Sequence, residues 1–301
     1  SPLAWIPMLD ELQRDPTIRD RYQFLLYMYP TGVPLPIAAA NLREALTRAR
    51  TLYNPDDRDP AFDRMVLLGH SMGGLLSHCM TVSSGEELWQ LNSDQTFDDI
   101  LGPADILAQL RRLLFFEPVP SVKRVVFLAT PHRGSDLGKG VIGRVSTSFI
   151  TDPDSIAKLL GQLVKDNPDA FNRRFRRFPT SIETLATDSP ILMAIENMKP
   201  AADVVYHSII GSVRPGDRRQ TTDGVVPYRS SHLEGLAAEK VASEKIVRSD
   251  HGVQKDPLAV REVRRILHEH LEMKPAVAPR EAGPVGEDPG LPALPHATAP
   301  G

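Results

Sequence analysis

One segment of this 301-residue chain constrains its local geometry more than any other: Met65-Val66-Leu67-Leu68-Gly69-His70-Ser71-Met72-Gly73-Gly74-Leu75-Leu76. A short apolar run ends in Gly-x-Ser-x-Gly, and an apolar, helix-compatible run follows. That order reads as a strand, a sharp turn with serine at its tip, then a helix. Gly69 and Gly73 carry no Cβ and leave room for the backbone passing close by. Gly73 and Gly74 let the helix lie near the sheet. The serine backbone then sits at a helix N-terminus, where free N–H groups and the helix dipole favour negative charge. A phosphate-cradling glycine loop is the rival reading, but the Lys-Ser/Thr ending it needs is absent. The pentapeptide also arises by chance in unrelated chains, so the flanking runs carry the argument.

A serine hydroxyl is a weak nucleophile at neutral pH. It needs a base, most often histidine, and that histidine needs a carboxylate to fix its tautomer and stabilise its charged form. On a strand–turn–helix scaffold the chain order is Ser, then Asp or Glu, then His. The acid candidate is Asp223, in Thr-Thr-Asp-Gly-Val-Val-Pro, after the strand-like run Val204 to Gly211. Asp-Gly is also a common turn pair, and Asp217 in the same loop is the competing acid. The base candidate is His251, in Arg-Ser-Asp-His-Gly after the short apolar run Lys245-Ile246-Val247. A solvated loop histidine is the bland alternative. His70 adjoins the serine, but neighbouring side chains point apart. His207 falls inside a strand and reads as structural. His268 and His270, on the last helix, read as surface residues.

With Gly69-His70-Ser71-Met72-Gly73-Gly74, Ala129-Thr130-Pro131-His132-Arg133-Gly134-Ser135, Asp223-Gly224-Val225-Val226-Pro227 and Asp250-His251-Gly252 in place, the chain resembles the α/β-hydrolase superfamily. More narrowly, it is similar to bacterial lipases and esterases, over about Ser1 to Leu271. The resemblance implies an α/β fold: a mostly parallel sheet with helices on both faces and a helical cap or lid insert. It also implies serine-dependent ester hydrolysis, with Ser71 as nucleophile, Asp223 as acid, His251 as base and the Met72 backbone N–H in the oxyanion hole. In one respect the chain departs from the pattern. Family members begin with a strand ending in a His-Gly pair, which supplies the second oxyanion donor, and this sequence contains no such pair ahead of the elbow. The resemblance therefore implies a sheet lacking its first strands, with the second donor unassigned or supplied near Ser1 to Ala4. A thioesterase or amidase of the same fold, or a catalytically impaired binding protein, stays open as the alternative.

Composition narrows the partners. The net charge is −3 with both signs mixed along the chain, and no basic stripe is interleaved with aromatics, so nucleic acid is not expected as a partner. The single cysteine, Cys79, excludes an internal disulfide pair and reads as a small apolar residue behind the elbow. No stretch approaches the roughly eighteen apolar residues of a membrane span. No His, Cys, Asp and Glu cluster has metal-ligand spacing, so neither metal nor cofactor is expected. The compartment stays open.

Along the chain, Tyr22 to Tyr29 reads as a buried strand, because its apolar run is too dense for a half-exposed one. Pro36 to about Tyr53 has helical spacing. Arg64–Leu68, Val122–Leu128, Asp203–Ile210 and Glu244–Val247 read as strands, with helices over Met72 to about Ser83 and Pro257 to about Leu271. Alternating strands and helices imply a parallel sheet. Two helical inserts, about 85–120 and 135–200, leave the carboxyl ends of strands, where ligands bind; the longer reads as the lid, with surface padding as its alternative. Within it, Arg173-Arg174-Phe175-Arg176-Arg177-Phe178 reads as a solvated face or, alternatively, as contact with an anionic lipid surface. The domain spans 1–274. Residues 275–301, rich in Pro, Ala and Gly, read as a disordered tail. The substrate expected is a small-molecule or lipid-like ester.

Overall fold

The computed structural model describes residues 2–30, 32–135, 161–172, 185–187, 189–214 and 220–273. Its centre is a four-stranded parallel sheet in the order β1 (Met65–His70), β3 (Val122–Leu128), β5 (Val205–Gly211), β6 (Val241–Val247). The two central strands are buried on both faces, which is why their sequences are nearly continuous apolar runs. Val125 and Phe127 of β3 point to one face, and Val126 and Leu128 to the other. Strand β6 is an edge strand, with exposed and half-buried residues alternating at its start.

Helices cover both faces. On one lie α1 (Ile6–Gln13), α2 (Pro16–Arg21) and α10 (Pro257–Glu272), which bring Met8, Leu12, Ile18, Val263 and Ile266 onto the sheet. Asp256 caps α10 by accepting from the N–H groups of Leu258 and Ala259, with Pro257 at the first position. On the other face lie α3 (Leu35–Tyr53), α4 (Met72–Cys79) and α6 (Ala104–Leu114), with Leu75, Leu76, Ile106, Leu110 and Leu114 in the core. A two-stranded antiparallel ribbon pairs β2 (Val82–Ser83) with β4 (Lys199–Pro200). Short helices α5 (Glu87–Gln90), α7 (Pro190–Asn197), α8 (Tyr228–Ser231) and α9 (Gly235–Ala238) lie between these larger elements.

The expected strand at Tyr22–Tyr29 does not form. The segment is irregular and pairs with no described strand, and Leu25, Leu26, Tyr27 and Met28 are all exposed, Met28 at 70%. Its anchored ends explain the shape. Tyr22 Oη donates to Leu267 O of α10 on one face of the sheet, at 2.8 Å. Tyr29 packs with the core of the opposite face. The segment therefore passes from one helical layer to the other. Strand β1 pairs only with β3 among the described strands, and Met65, Val66, Leu67 and Leu68 are half-buried rather than buried. A dense apolar run signals burial only when a neighbouring strand exists to cover it.

The first insert is part of the body, since α6 packs on α3 and its apolar stripe joins the main core. Of the second, residues 161–172 dock on the first: Asn167 bonds both Leu101 N and Leu101 O, and Phe171 bridges to Ser93. The Arg173–Phe178 run, Asp217 and the 275–301 tail lie outside the described residues.

Candidate active site

A strand, a sharp turn at Ser71 and a helix form where the sequence places them. Strand β1 ends at His70, α4 starts at Met72, and Ser71 between them holds φ 54° and ψ −127°. A non-glycine residue at positive φ is strained and persists only where its surroundings enforce it. Here they do. Ser71 N donates to Leu128 O at 2.9 Å, and Gly74 N donates to Ser71 O at 2.9 Å. The steric demand falls on Gly69 and Gly74. A Cβ on Gly69 would lie 2.5 Å from Gly73 O, and one on Gly74 would lie 1.9 Å from Thr130 Oγ1. Gly73, expected from the sequence to leave room, has space to spare: the nearest atom to its added Cβ would be Tyr29 Oη at 3.7 Å.

Asp223 follows β5 in a tight turn. Its Oδ1 accepts from Val225 N at 2.8 Å and from Val226 N at 2.7 Å, and its side chain is buried. These two bonds fix the carboxylate plane, so that Oδ2 meets His251 Nδ1 at 2.7 Å. A carboxylate without a proton can only accept, so Nδ1 carries the hydrogen and Nε2 is left as the acceptor. The Ser71 hydroxyl lies 3.0 Å from His251 Nε2, in position to donate to it. Ser71, His251 and Asp223 thus form one hydrogen-bonded chain drawn from the ends of three strands. Met72 N–H, the first of α4, has no acceptor among the described residues. An open cleft of about 530 Å³ is walled by Asp223, Val225, His251 and Lys255, and Ser71 does not line it.

The Ala129–Ser135 segment is a brace. Ala129 holds φ 48° and donates its N–H to Ile209 O. His132 N donates to Ser230 O at 2.8 Å, Ser230 Oγ donates to Gly134 O at 2.6 Å, and Ser135 Oγ donates to Val225 O. The segment therefore joins the elbow, through Thr130, to the loop that carries Asp223. His132 itself is buried, with neither ring nitrogen bonded among the described residues, and burial holds its pKa well below the usual imidazole range.

The other histidines sort by contact. His207 is buried in β5, bonded to Arg124 and, at 2.7 Å, to Ser243 Oγ. His268 is partly exposed and bonds Asp15 at 2.8 Å, which ties α2 to α10. His270, expected on the surface, is buried instead. Its Nε2 bonds Arg64 O at 2.9 Å, because it shares the inward stripe of α10 with Val263, Ile266 and Leu267. The His70 ring meets His251, with Nε2 2.6 Å from His251 O. Cys79 is buried, and burial pushes its thiol up to about 12, which leaves no thiolate for chemistry.

No family model matches the sequence, and no curated protein does. Solved structures of bacterial lipases and esterases match it across most of its length. Bacillus licheniformis lipase BlEst2 in mature form matches at 15% identity and TM-score 0.47, over 89% of this chain and 86% of that one. EstA from Clostridium botulinum matches at 16% identity and TM-score 0.40, over 67% and 64%. Lipase 1 from Pelosinus fermentans matches at 15% identity and TM-score 0.38, over 70% and 72%.

Proposed function

We propose that this chain is a serine hydrolase of the α/β-hydrolase type that cleaves carboxylic esters through an acyl-enzyme. The observation that carries the reading is the continuous chain from Ser71 Oγ through His251 to Asp223, at 3.0 and 2.7 Å. Such a chain supplies what a serine lacks, a base of fixed tautomer within hydrogen-bond reach.

Ser71 Oγ attacks the ester carbonyl as His251 Nε2 takes its proton. The carbonyl π pair moves onto oxygen, where Met72 N–H and a second donor meet the negative charge. The tetrahedral adduct collapses, the carbon–oxygen bond to the alcohol breaks, and His251 returns the proton to that oxygen. Water then attacks the acyl-serine by the same route and releases the acid. Asp223 holds the imidazole in place throughout. The second donor is unassigned; residues Pro2–Trp5 pack beside Val253–Lys255, just past His251. The reading extends to hydrophobic, lipid-like or small-molecule esters, with thioesters as the neighbouring substrate class.

The test is labelling by a fluorophosphonate probe alongside turnover of a p-nitrophenyl ester series. The wild-type chain should label once, at Ser71, and Ser71→Ala should neither label nor turn over while retaining its unfolding midpoint. Wild-type turnover in Ser71→Ala would overturn the reading.

A further inference from the structure

We infer that His70 is a positioning residue, whose ring N–H anchors the backbone of the loop bearing His251 to the strand bearing Ser71. The inference rests on the hydrolase reading and adds a part to it.

The sheet sets the problem. Ser71 follows β1, and His251 follows β6, three strands away. Interstrand spacing of about 4.8 Å puts the two strand ends roughly 14 Å apart. The 248–252 loop must therefore reach back across the sheet and stop with its imidazole at hydrogen-bond distance. Bonds inside the loop shape it without fixing where it stops: Gly252 N donates to Asp250 Oδ1 at 2.8 Å, and Lys255 N to Gly252 O at 2.8 Å. Among the described residues, a single bond ties the 248–252 backbone to a distant element, and it comes from His70.

That bond has one possible direction. A carbonyl oxygen only accepts, so His70 Nε2 carries the hydrogen and donates to His251 O at 2.6 Å. The two rings stand 4.9 Å apart, tilted at 50°. At that separation a charged His70 would oppose the imidazolium that forms on His251 during turnover. Desolvation, with the nearby His251 second, lowers the His70 pKa to about 4, so the donor is neutral at ordinary pH. A neutral N–H donor grips the carbonyl without opposing the charge that catalysis creates. His70 is also the residue immediately before the nucleophile, at the end of β1. One dipeptide therefore holds both the attacking oxygen and the mainchain of its base.

The test compares three variants by fluorophosphonate labelling rate, by kcat and KM on a p-nitrophenyl ester, and by unfolding midpoint. His70→Phe keeps the ring and removes the N–H. It should lower kcat and labelling rate roughly 10–100-fold, since small misplacement of reacting groups costs on this scale, with KM within about twofold. His70→Gln restores a non-titrating donor near the Nε2 position and should recover most of the lost rate. His70→Leu, with a smaller side chain, replaces the phenylalanine variant if that one does not fold. Wild-type kcat in the donor-less variants overturns the inference. So does a glutamine variant no better than phenylalanine, which would assign the effect to bulk. A wild-type chain that never labels removes the hydrolase reading, and this inference with it.

Discussion

Replacing Gly74 by alanine would place a methyl carbon 1.9 Å from Thr130 Oγ1 and 2.7 Å from Thr130 Cγ2. Ordinary contact begins near 3.4 Å, so α4 and the Thr130 segment must part by about 1.5 Å, the difference of the two distances. Thr130 is β-branched with few rotamers, and its neighbour Ala129 is already held at φ 48°, so the side chain cannot swing clear cheaply. Overpacking of this kind costs about 1–3 kcal/mol, while alanine in place of glycine in a helix returns at most about 1 kcal/mol. The net loss of up to about 2 kcal/mol lowers the unfolding midpoint by up to roughly 4–8 °C for a domain of this size. Activity falls further than stability, because α4 carries Met72 N–H and abuts Ser71, and displacement by an ångström can cost about 100-fold. Gly73→Ala, one position earlier, is the control: its methyl meets only Tyr29 Oη at 3.7 Å, and it should hold or slightly raise the midpoint. The measurement is thermal unfolding of both variants beside their fluorophosphonate labelling rates. Two variants of equal stability and equal reactivity would refute the claim that elbow and helix are packed to contact at Gly74.

Two further outcomes follow from the same geometry. Asp223→Asn keeps the side-chain shape but offers an amide to His251 Nδ1, favouring the wrong tautomer; kcat should fall by about 10⁴, whereas Asp217→Asn should stay within about twofold, and ester turnover of the two variants decides between the acids. His78, buried against Phe127, His132 and Tyr206, has its pKa pushed down to about 4 by burial. The unfolded chain therefore takes up that proton first as pH falls, so His78 costs nothing above about pH 6.5 and about 2–3 kcal/mol by pH 4.5. His78→Phe should flatten the loss of unfolding midpoint between pH 7 and 5, and an unchanged slope would refute a neutral His78.

Much of the sheet could be read directly, because its central strands are buried on both faces and so write long apolar runs. The predicted Val122–Leu128 strand matches the observed one residue for residue. The other strands differ from expectation only by a few residues at their ends. The same rule misled at Tyr22–Tyr29, where an equally apolar run lies exposed. Apolar density reports what a segment can bury, while burial itself depends on a neighbour elsewhere in space. His270 failed in the opposite direction: a polar residue was read outward, but helical phase with Ile266 and Val263 turns it inward. The His70 bond cannot be read from the sequence, because its partner is a mainchain carbonyl 181 residues away. Backbone acceptors leave no mark on residue identity.

Gly211 shows how the scaffold and the site depend on one another. It ends β5, between the strands that deliver Ser71 and His251, so anything reaching from β6 to β1 must pass over it. A Cβ there would lie 2.8 Å from Asp223 Cβ, 2.8 Å from Val253 Cγ2 and 3.0 Å from Asp250 O. All three contacts belong to the Ser71–His251–Asp223 hydrogen-bonded chain or its flanks: Asp223 itself, the backbone just before His251, and the turn just after it. A side chain at 211 would push Asp223 and the His251 loop away from the sheet together, which preserves their mutual bond but lengthens the reach to Ser71. The spacing of a parallel sheet is fixed at about 4.8 Å per strand, so the missing distance has to be recovered above the strand ends. Recovering it requires the loops to lie directly on the sheet rim. The absence of a side chain at Gly211, the donor on His70 and the paired N–H groups under Asp223 answer that one geometric demand at three points along the rim.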